Sequence, residues 1–339
     1  MKPFNQASHR AQVLRLRNLA ENALAQYDLD VKGFSTLLHL ENTTFRIEAG
    51  EQYVLRVSRA GLRTKEQIRS EAMWLKAICE DTDLIVPEPI HNSKGSLTTV
   101  ASARGVPEER VCVLFTWVEG QFYRERLSPV ALERIGRATA VLHEHAQTFQ
   151  PPPGFARNDV EFGGDEGPGE MVRINNKGLE DGAALIAPHD LATFTLARHY
   201  LQAAIEDIGR SADVFGLIPA DLHHGNCLFH DREVRIIDFD DCGWGHFHYD
   251  LAVTQWYLQA HADYDALCAA HLDGYRAIRR LTDDQEQLIP LFSAARTLLM
   301  AHYMAGRGDN PQLRDRAPRF VAHCAAVLRE FLARRRVVH

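Results

Sequence analysis

Three polar residues near residue 230 have the types and spacing needed to transfer a phosphoryl group. Residues 218–226 read IPADLHHGN, and twelve residues after Asn226 an apolar stretch ends in Asp238. Phosphoryl transfer requires a group that accepts or orients the acceptor's proton, and a divalent metal that neutralises phosphate charge. Asp221 is the candidate for the first role. The oxygen atoms of Asn226 and Asp238 are candidates for the second, because Mg²⁺ typically takes one or two protein ligands plus phosphate oxygens and water.

A predicted hairpin brings the two metal candidates together. Residues 227–230 and 234–237 read as two short strands around the polar residues 231–233. If they pair antiparallel about Arg232, Asn226 lies opposite Asp238. The Cβ atoms of directly opposed residues are about 4.5–5.5 Å apart, so both side chains could reach one cation.

The N-terminal half contains a candidate cation for the phosphates of a nucleotide. In the strand YVLRV, Arg56 faces away from the side that carries Leu55 and Val57, because side chains alternate along a strand. The helix that follows has an apolar face, and Glu71 falls on it. Since an unpaired buried charge is costly, we expect Glu71 to pair with Arg56. Kinases hold the α- and β-phosphates with such a pair.

The hydrophobic pattern predicts an α+β protein with a small β-rich lobe and a large, mainly helical lobe. Residues 1–118 are predicted to form an N-terminal helix and the nucleotide-binding lobe. Residues 119–339 are predicted to form the helical lobe, with the catalytic loop, the metal site and the acceptor pocket. The predicted helices are 10–28, 65–80, 128–149, 189–208 and all of the chain from residue 250 onward. The main predicted strands are 34–40, 43–48, 52–59 and 111–118.

These motifs together resemble a known family. DLHHGN followed by IDFDDCGWGHFHYDLA is similar to the aminoglycoside phosphotransferase and choline kinase family, which has a bilobal protein-kinase-like fold. The segments YVLRV, EAMWL, VCVLFTWVEG and GRATAVLHEHA resemble its nucleotide-cation strand, glutamate helix, hinge and the helix after the hinge. The resemblance covers most of the chain and implies ATP and Mg²⁺ as cofactors.

The resemblance also implies a role for each matching residue. Asp221 would be the catalytic base, Asn226 and Asp238 the metal ligands, and Asp250 a brace for the catalytic loop. The implied nucleotide site consists of a loop over the phosphates within 41–48, the strand cation with its helix partner, and the hinge backbone: Asn42, Thr43, Thr44, Arg56, Glu71, Thr116, Trp117 and Val118.

The chain departs from the family pattern at three points. Pro219 stands where the family usually has a histidine that scaffolds the catalytic loop, Arg56 stands where lysine is commoner, and no GxGxxG motif is present. The candidates for base and metal ligands are all present, so we predict an active enzyme.

Parts of the sequence are compatible with three other functions. A protein serine/threonine kinase needs a long activation segment, whereas only residues 242–249 separate IDFDD from DLA, which favours a small hydroxyl acceptor such as an amino sugar, an amino acid or an amino alcohol. A low-turnover nucleotide-binding regulatory module is favoured only by Pro219. A zinc hydrolase is suggested by five histidines between residues 223 and 248, but their spacing lacks the regularity of a ligand set.

Smaller groups of residues are interpreted as ordinary surface or core. Asp240 and Asp241 could provide a contact to a second metal ion, but solvated loop residues are the favoured interpretation. Trp256 and Tyr257 are taken as core or cleft wall. The Pro-, Gly- and acid-rich residues 151–170 are predicted to form a surface loop, whose acids could line the acceptor pocket.

Composition excludes several classes of protein. The 339 residues carry a net charge of -7, which gives no reason to expect nucleic acid as a partner. No apolar run is long enough to span a bilayer, and the N-terminus lacks the apolar core of a signal peptide. The six cysteines are scattered, as is typical of a reducing compartment. We therefore expect a cytoplasmic protein without a membrane partner, and the sequence leaves its oligomeric state open.

Overall fold

The chain is divided into two compact units, each built from three segments. The computed structural model describes residues 2–40, 42–123, 127–160, 186–306 and 315–336. The first unit comprises Met1–Tyr123, Phe149–Arg157 and Cys227–Asp240. The second comprises Arg124–Thr148, Asn158–Asn226 and Asp241–His339. The predicted surface loop 151–170 lies outside the described residues from 161 onward.

A five-stranded antiparallel sheet forms the centre of the first unit. Its strands are β1 (Gly33–His39), β2 (Thr43–Ala49), β3 (Glu51–Val57), β4 (Thr99–Ala101) and β5 (Arg110–Thr116). They are hydrogen-bonded in the order β1-β2-β3-β5-β4. Alternation places Phe45, Ile47 and Leu55 on one face, in a hydrophobic cluster with the apolar side of α1 (His9–Leu24). The longer strands were predicted, whereas β4 was missed because three residues are too few to show a period.

The opposite face of β3 carries Arg56, and α2 (Lys65–Asp81) supplies its partner. The helix begins with a capping box, in which the Thr64 side chain accepts from the Gln67 N–H and the Gln67 side chain accepts from the Thr64 N–H. Its buried stripe includes Ile68 and Leu75, and Glu71 lies on the same stripe. A charged residue is thus buried at the predicted position.

Four short strands occur later in the chain. They are β6 (Phe215–Ile218), β7 (Cys227–His230), β8 (Glu233–Ile236) and β9 (Gly243–His246). β7 and β8 form a hairpin within the first unit, and β6 pairs with β9 within the second. β6 and β9 were missed, because four residues give only two positions on each face of a strand.

The register of the hairpin differs from the predicted one by one residue. Cys227 pairs with Ile236, and the turn consists of Asp231 and Arg232 alone, with φ values of 46° and 70°. Two successive positive φ angles are typical of a two-residue type I′ turn. The prediction that strand pairing sets Asn226 opposite Asp238 is therefore wrong, because it assumed a three-residue turn.

The second unit is mainly helical. Its helices are α3 (Pro129–Thr148), α4 (Pro188–Glu206), α5 (Phe247–Trp256), α6 (Tyr264–Arg276), α7 (Asp283–Glu286), α8 (Ile289–Ala305) and α9 (Ala317–Arg336). Two glycines let α3 and α6 pack closely. A Cβ at Gly136 would lie 1.9 Å from the His271 backbone oxygen, and one at Gly274 would lie 1.9 Å from the Glu133 backbone oxygen. With the antiparallel N-terminal sheet, this helical region confirms the predicted fold class.

The described residues also bear on membrane insertion and on a zinc site. Within the described ranges, none of the helices is both long and apolar enough to cross a membrane. The same ranges contain no group of three or more His, Cys, Asp or Glu side chains arranged to hold a metal ion. His246 ends β9 and His248 lies in α5, so the two do not share one strand. The zinc hydrolase has no ligand set in this part of the chain.

Candidate active site

Arg56 and Glu71 form a buried, bidentate ion pair in the first unit. Arg56 Nη1 donates to Glu71 Oε1 at 2.7 Å and Nη2 donates to Oε2 at 2.5 Å, which confirms the predicted pairing. Burial by itself lowers the pKa of Arg56, but the carboxylates of Glu71 and Asp240 outweigh burial and raise it. The guanidinium is therefore charged at any physiological pH. A lysine ammonium could not reproduce both parallel hydrogen bonds.

Asp240 is a third member of this cluster. Its Oδ1 lies 3.8 Å from Arg56 Nη1, and its Oδ2 accepts from Asn42 Nδ2 at 3.1 Å. Burial raises the pKa of Asp240, but Arg56, Arg63 and Arg157 outweigh burial and lower it, so the carboxylate is ionised. The interpretation of Asp240 as a solvated loop residue is wrong, because its side chain is buried beside the Arg56 guanidinium.

Arg157 links Asp240 to helix α2. Its Nη2 donates to the Asp240 backbone oxygen at 2.7 Å and its Nη1 donates to the Gln67 backbone oxygen at 3.2 Å. The preceding Ala156 N–H donates to Ser70 Oγ at 2.7 Å. The helix that carries Glu71 is thereby fastened near its N-terminal end.

The predicted loop over the phosphates is shorter than residues 41–48. Thr43 and Thr44 lie in β2, paired with Val57 and Arg56, and Glu41 is outside the described residues. Because Thr44 is opposite Arg56, their side chains share one face of the sheet. The Thr43 hydroxyl is hydrogen-bonded to the His39 ring at 2.7 Å. Of the three predicted residues, Asn42 and Thr44 thus lie on the side of the Arg56 cluster.

Most of the backbone N–H groups of the predicted hinge are already hydrogen-bonded within the protein. The Thr116 N–H donates to the Glu88 backbone oxygen at 2.9 Å, and the Trp117 N–H donates to the Gln52 backbone oxygen at 3.2 Å. The Thr116 hydroxyl accepts from the Glu88 N–H at 3.0 Å. Two of the three hinge N–H groups are therefore already used within the protein, which leaves that of Val118.

Asp221, in the second unit, lies between an arginine and an imidazole. Its Oδ1 accepts a hydrogen bond from Arg296 Nη2, and its Oδ2 lies 3.6 Å from His223 Nε2. Burial raises the pKa of Asp221, but the Arg296 charge, followed by His223, outweighs burial and lowers it. The carboxylate is consequently ionised, as a group that accepts a proton must be.

Arg296 was missed by sequence reasoning. It is buried in α8, where Nη2 also donates to the Tyr257 hydroxyl at 2.9 Å and Nη1 to the Tyr249 hydroxyl at 3.3 Å. Its signal resembles that of Glu71, since it is the sole Asp, Glu, Lys or Arg among the 17 residues of an apolar helix. Periodicity could have shown that Arg296 needs a partner, but not which one.

His223 is fixed in one tautomer beside the carboxylate. Its Nδ1 accepts from the Gly225 N–H at 3.0 Å, so a neutral ring carries its proton on Nε2, which points to Asp221. The ring stacks on Tyr257 with centroids 3.9 Å apart. A Cβ at Gly225 would lie 2.6 Å from the His223 ring, which explains the glycine.

Asp250 holds the loop before Asp221, at the position expected for a brace. Its Oδ1 accepts from the Ala220 N–H at 2.9 Å, and its Oδ2 is hydrogen-bonded to His143 Nε2 at 3.0 Å. Burial lowers the pKa of His143 far below its usual range, so the ring is neutral. Its Nδ1 is hydrogen-bonded to the Tyr275 hydroxyl at 2.9 Å.

The candidate metal ligands have suitable donor atoms. Asn226 Nδ2 donates to the Asp221 backbone oxygen at 3.0 Å, which turns the amide so that its oxygen remains an acceptor. Among the described residues, four non-glycine residues have positive φ, and Asp238 and Ala220, both at 65°, are the two outside the hairpin turn. Such backbone strain clusters at functional sites. The amide oxygen and the Asp238 carboxylate are the hard ligands that Mg²⁺ prefers.

A model of the phosphotransferase enzyme family matches residues 37–283, which is most of the chain. The protein belongs to this family. This phosphotransferase is 29% identical to an uncharacterised protein of Deinococcus radiodurans over 302 residues, covering 85% of this chain and 83% of the relative. It is 23% identical to the amicoumacin kinase of Bacillus subtilis over 265 residues, covering 74% and 69%. It is also 29% identical to the homoserine kinase of Gluconacetobacter diazotrophicus over 228 residues, covering 66% and 64%.

Solved structures resemble the phosphotransferase over nearly its full length. A microcompartment-associated aminopropanol kinase superposes with a TM-score of 0.80 and 28% identity, covering 94% of this chain and 98% of that one. An amicoumacin kinase in complex with AMP-PNP and Ca²⁺ superposes with a TM-score of 0.77 at 19% identity, covering 94% and 96%. The predicted family and enzyme class are confirmed, and the protein is a phosphotransferase that acts on small molecules.

Proposed function

We propose that this phosphotransferase uses ATP and Mg²⁺ to phosphorylate a hydroxyl group of a small amino alcohol, amino acid or amino sugar. The observation that carries the proposal is the state of Asp221. The carboxylate is ionised, one of its oxygens is held by Arg296, and the backbone N–H of the residue before it is held by Asp250. A fixed, charged carboxylate is what accepting a proton from a hydroxyl requires.

The nucleotide phosphates would bind to the Arg56 guanidinium. Each Nη atom carries two hydrogens, and Glu71 takes one from each. The remaining hydrogens can donate to phosphate oxygens while Glu71 keeps the fork in place. Asn42 and Thr44, on the same side as Arg56, would also lie next to the phosphates. Adenine recognition at the hinge would depend on the Val118 N–H and on the hinge carbonyl groups.

Asn226 and Asp238 would hold Mg²⁺ through the amide oxygen and the carboxylate. The ion would neutralise charge on the phosphates of the bound nucleotide. The acceptor hydroxyl would donate its proton to Asp221 Oδ2 as its oxygen attacks the γ-phosphorus. The bond from the γ-phosphorus to the bridging oxygen then breaks, and that oxygen leaves with ADP.

A small acceptor is supported by the segment after the metal strand. Residues 243–246 form β9 and α5 begins at Phe247, so no room remains for a peptide-docking activation segment. The similarity to kinases named for aminopropanol and homoserine supports amino alcohol and amino acid acceptors. ATP use and the scattered positions of the six cysteines, which are typical of a reducing compartment, support a cytoplasmic location.

A coupled assay of ADP release over a panel of hydroxyl compounds tests this function. The panel should include amino alcohols, hydroxyamino acids, aminoglycosides and choline, each with its deoxy analogue. We expect one class to stimulate ADP release in the wild type, with Mg²⁺ required, and no stimulation in Asp221→Asn. If the deoxy analogues stimulate as well as the hydroxyl compounds, the protein is not a hydroxyl phosphotransferase.

A further inference from the structure

The geometry points to Arg296 as the positioning residue of the catalytic base, selecting which oxygen of Asp221 faces the acceptor. The inference deepens the proposed function and rests on it, because it takes Asp221 as the base. Arg296 is 75 residues away in the chain and reaches the base from helix α8.

The two carboxylate oxygens of Asp221 have unequal surroundings. Oδ1 receives a charge-assisted hydrogen bond from Arg296, which is among the strongest that a carboxylate can accept. Oδ2 has Asn226 Nδ2 at 3.4 Å and His223 Nε2 at 3.6 Å, and at these distances any hydrogen bond is weak or absent. Oδ2 therefore retains its capacity to accept the proton of a substrate hydroxyl.

Arg296 is itself held rigidly. Its side chain is 6% exposed, and its two terminal nitrogens donate to the hydroxyls of Tyr249 and Tyr257 as well as to Asp221. The Tyr257 ring also stacks on His223, the neighbour of the other carboxylate oxygen. Tyr257 thus contacts the neighbours of both carboxylate oxygens, Arg296 and His223. These contacts restrict rotation of the Asp221 carboxylate about its Cβ–Cγ bond.

These contacts give the loop around Asp221 a support that its own residues do not provide. Pro219 offers neither a side-chain donor nor a backbone N–H at the position where the family usually has a scaffolding histidine. Two partners from outside the loop do the corresponding work: Asp250 holds the Ala220 N–H and Arg296 holds the carboxylate. The loop is therefore oriented by helices α5 and α8.

Three substitutions separate positioning from general stabilisation. Arg296→Met removes the contact, Arg296→Lys keeps the charge without the fork, and Arg279→Met is the matched control. Arg279 is also a buried arginine of the second unit, but it binds Glu144 at 2.5 Å and the Asp213 backbone oxygen at 2.8 Å. Its hydrogen-bond partners Glu144, Gln147 and Asp213 include neither Asp221 nor any residue that contacts the Asp221 carboxylate.

We expect Arg296→Met to lower kcat about tenfold or more, since general base catalysis typically contributes 10²–10⁴-fold. The KM for ATP should change less than about twofold, because the nucleotide does not require Asp221 to be aligned. Arg296→Lys should recover part of the lost kcat, and Arg279→Met should lower Tm while keeping kcat. An unchanged kcat in Arg296→Met, or an equal loss in Arg279→Met, overturns the positioning role.

An unfolding experiment without nucleotide tests the contact independently of activity. In a cycle of Asp221→Asn, Arg296→Met and the double variant, we expect the double variant to be more stable than the sum of the single losses predicts. Additive losses would show that the two side chains are not coupled and would overturn the inference. A coupled cycle in a protein that phosphorylates no hydroxyl compound would instead overturn the proposed function, and the positioning role with it.

Discussion

Arg56 and Glu71 meet through two parallel hydrogen bonds, of 2.7 and 2.5 Å, across the space between strand β3 and helix α2. Arg56 Nη1 also lies 3.8 Å from Asp240 Oδ1, so the buried cation faces two carboxylates. Glu71 is the one that fixes the orientation of the planar guanidinium.

Truncating either partner should impair nucleotide use to a similar extent. We expect Arg56→Met and Glu71→Gln each to raise the KM for ATP, and the double variant to be little worse than either, because the two act as a unit. Arg56→Lys should retain reduced activity. Lys65→Met is the control, since Lys65 lies on α2 like Glu71 and its ion pair with Glu109 is exposed. Strictly additive effects in steady-state kinetics would assign the nucleotide cation to another residue.

Asp221→Asn should abolish phosphoryl transfer and leave ATP binding intact. We expect kcat to fall by roughly 10²–10⁴-fold, the usual contribution of a general base. Tm should also fall, because Arg296 keeps its buried charge without a charged partner. Isothermal titration calorimetry with an ATP analogue and steady-state kinetics measure the two effects. A variant that retains most of its turnover would remove Asp221 from the mechanism.

The metal assignment predicts unequal effects of two substitutions. Asp238→Ala should lose Mg²⁺-dependent nucleotide binding, whereas Asn226→Ala should raise the Mg²⁺ concentration that half-saturates activity, because a neutral amide is the weaker ligand. Asp273→Asn, an exposed residue of α6, is the control. Calorimetry with and without Mg²⁺ measures both. Equally tight nucleotide binding under the two conditions in the wild type would contradict this site.

Stability should decline in acid because of His271. Burial lowers the pKa of His271 to about 3, whereas an unfolded histidine titrates near 6.5. Below pH 6.5 the unfolded chain binds a proton that the folded ring does not, so the free energy of unfolding falls by about 2 kcal/mol between pH 7 and pH 5 from this residue. This loss continues down to the folded pKa.

His271→Leu should remove that share of the decline. His248, whose pKa burial lowers to about 4, leaves a remaining slope. His323→Gln is the control, because an exposed imidazole in α9 is hydrated in both states. Urea unfolding at several pH values measures the slope. Parallel curves for His271→Leu and the wild type would show that this ring is protonated in the folded protein.

Features within a short stretch of chain were predictable from the sequence. The alternation around Arg56 and the apolar stripe around Glu71 are local, and each side chain's direction follows from its own element. Their pairing could then be inferred, since strand and helix are consecutive and a buried charge needs a partner. Helices α3 and α4 were predicted for the same reason, because their periodic patterns extend over several turns.

The register of the β7–β8 hairpin could not be predicted from the local sequence pattern. Asp231 and Arg232 adopt two positive φ angles, although neither is the glycine that usually signals such a turn. A three-residue turn fitted the sequence equally well. The difference of one residue changes every cross-strand partner, and packing of β7 and β8 in the first unit selects between the two.

The surroundings of the candidate base depend on tertiary structure. The motif identified Asp221 in the sequence, and the apolar pattern of α8 could have marked Arg296 as a buried charge, although it was missed. The sequence could not show that Asp221 and Arg296 form a pair, because 75 residues separate them and many carboxylates could bind one buried guanidinium. Asp240 was misread for the same reason, since its burial depends on a cation from β3. The sequence determines which charges need partners, and the folded chain decides which partners they meet, because only packing brings distant segments within hydrogen-bonding distance.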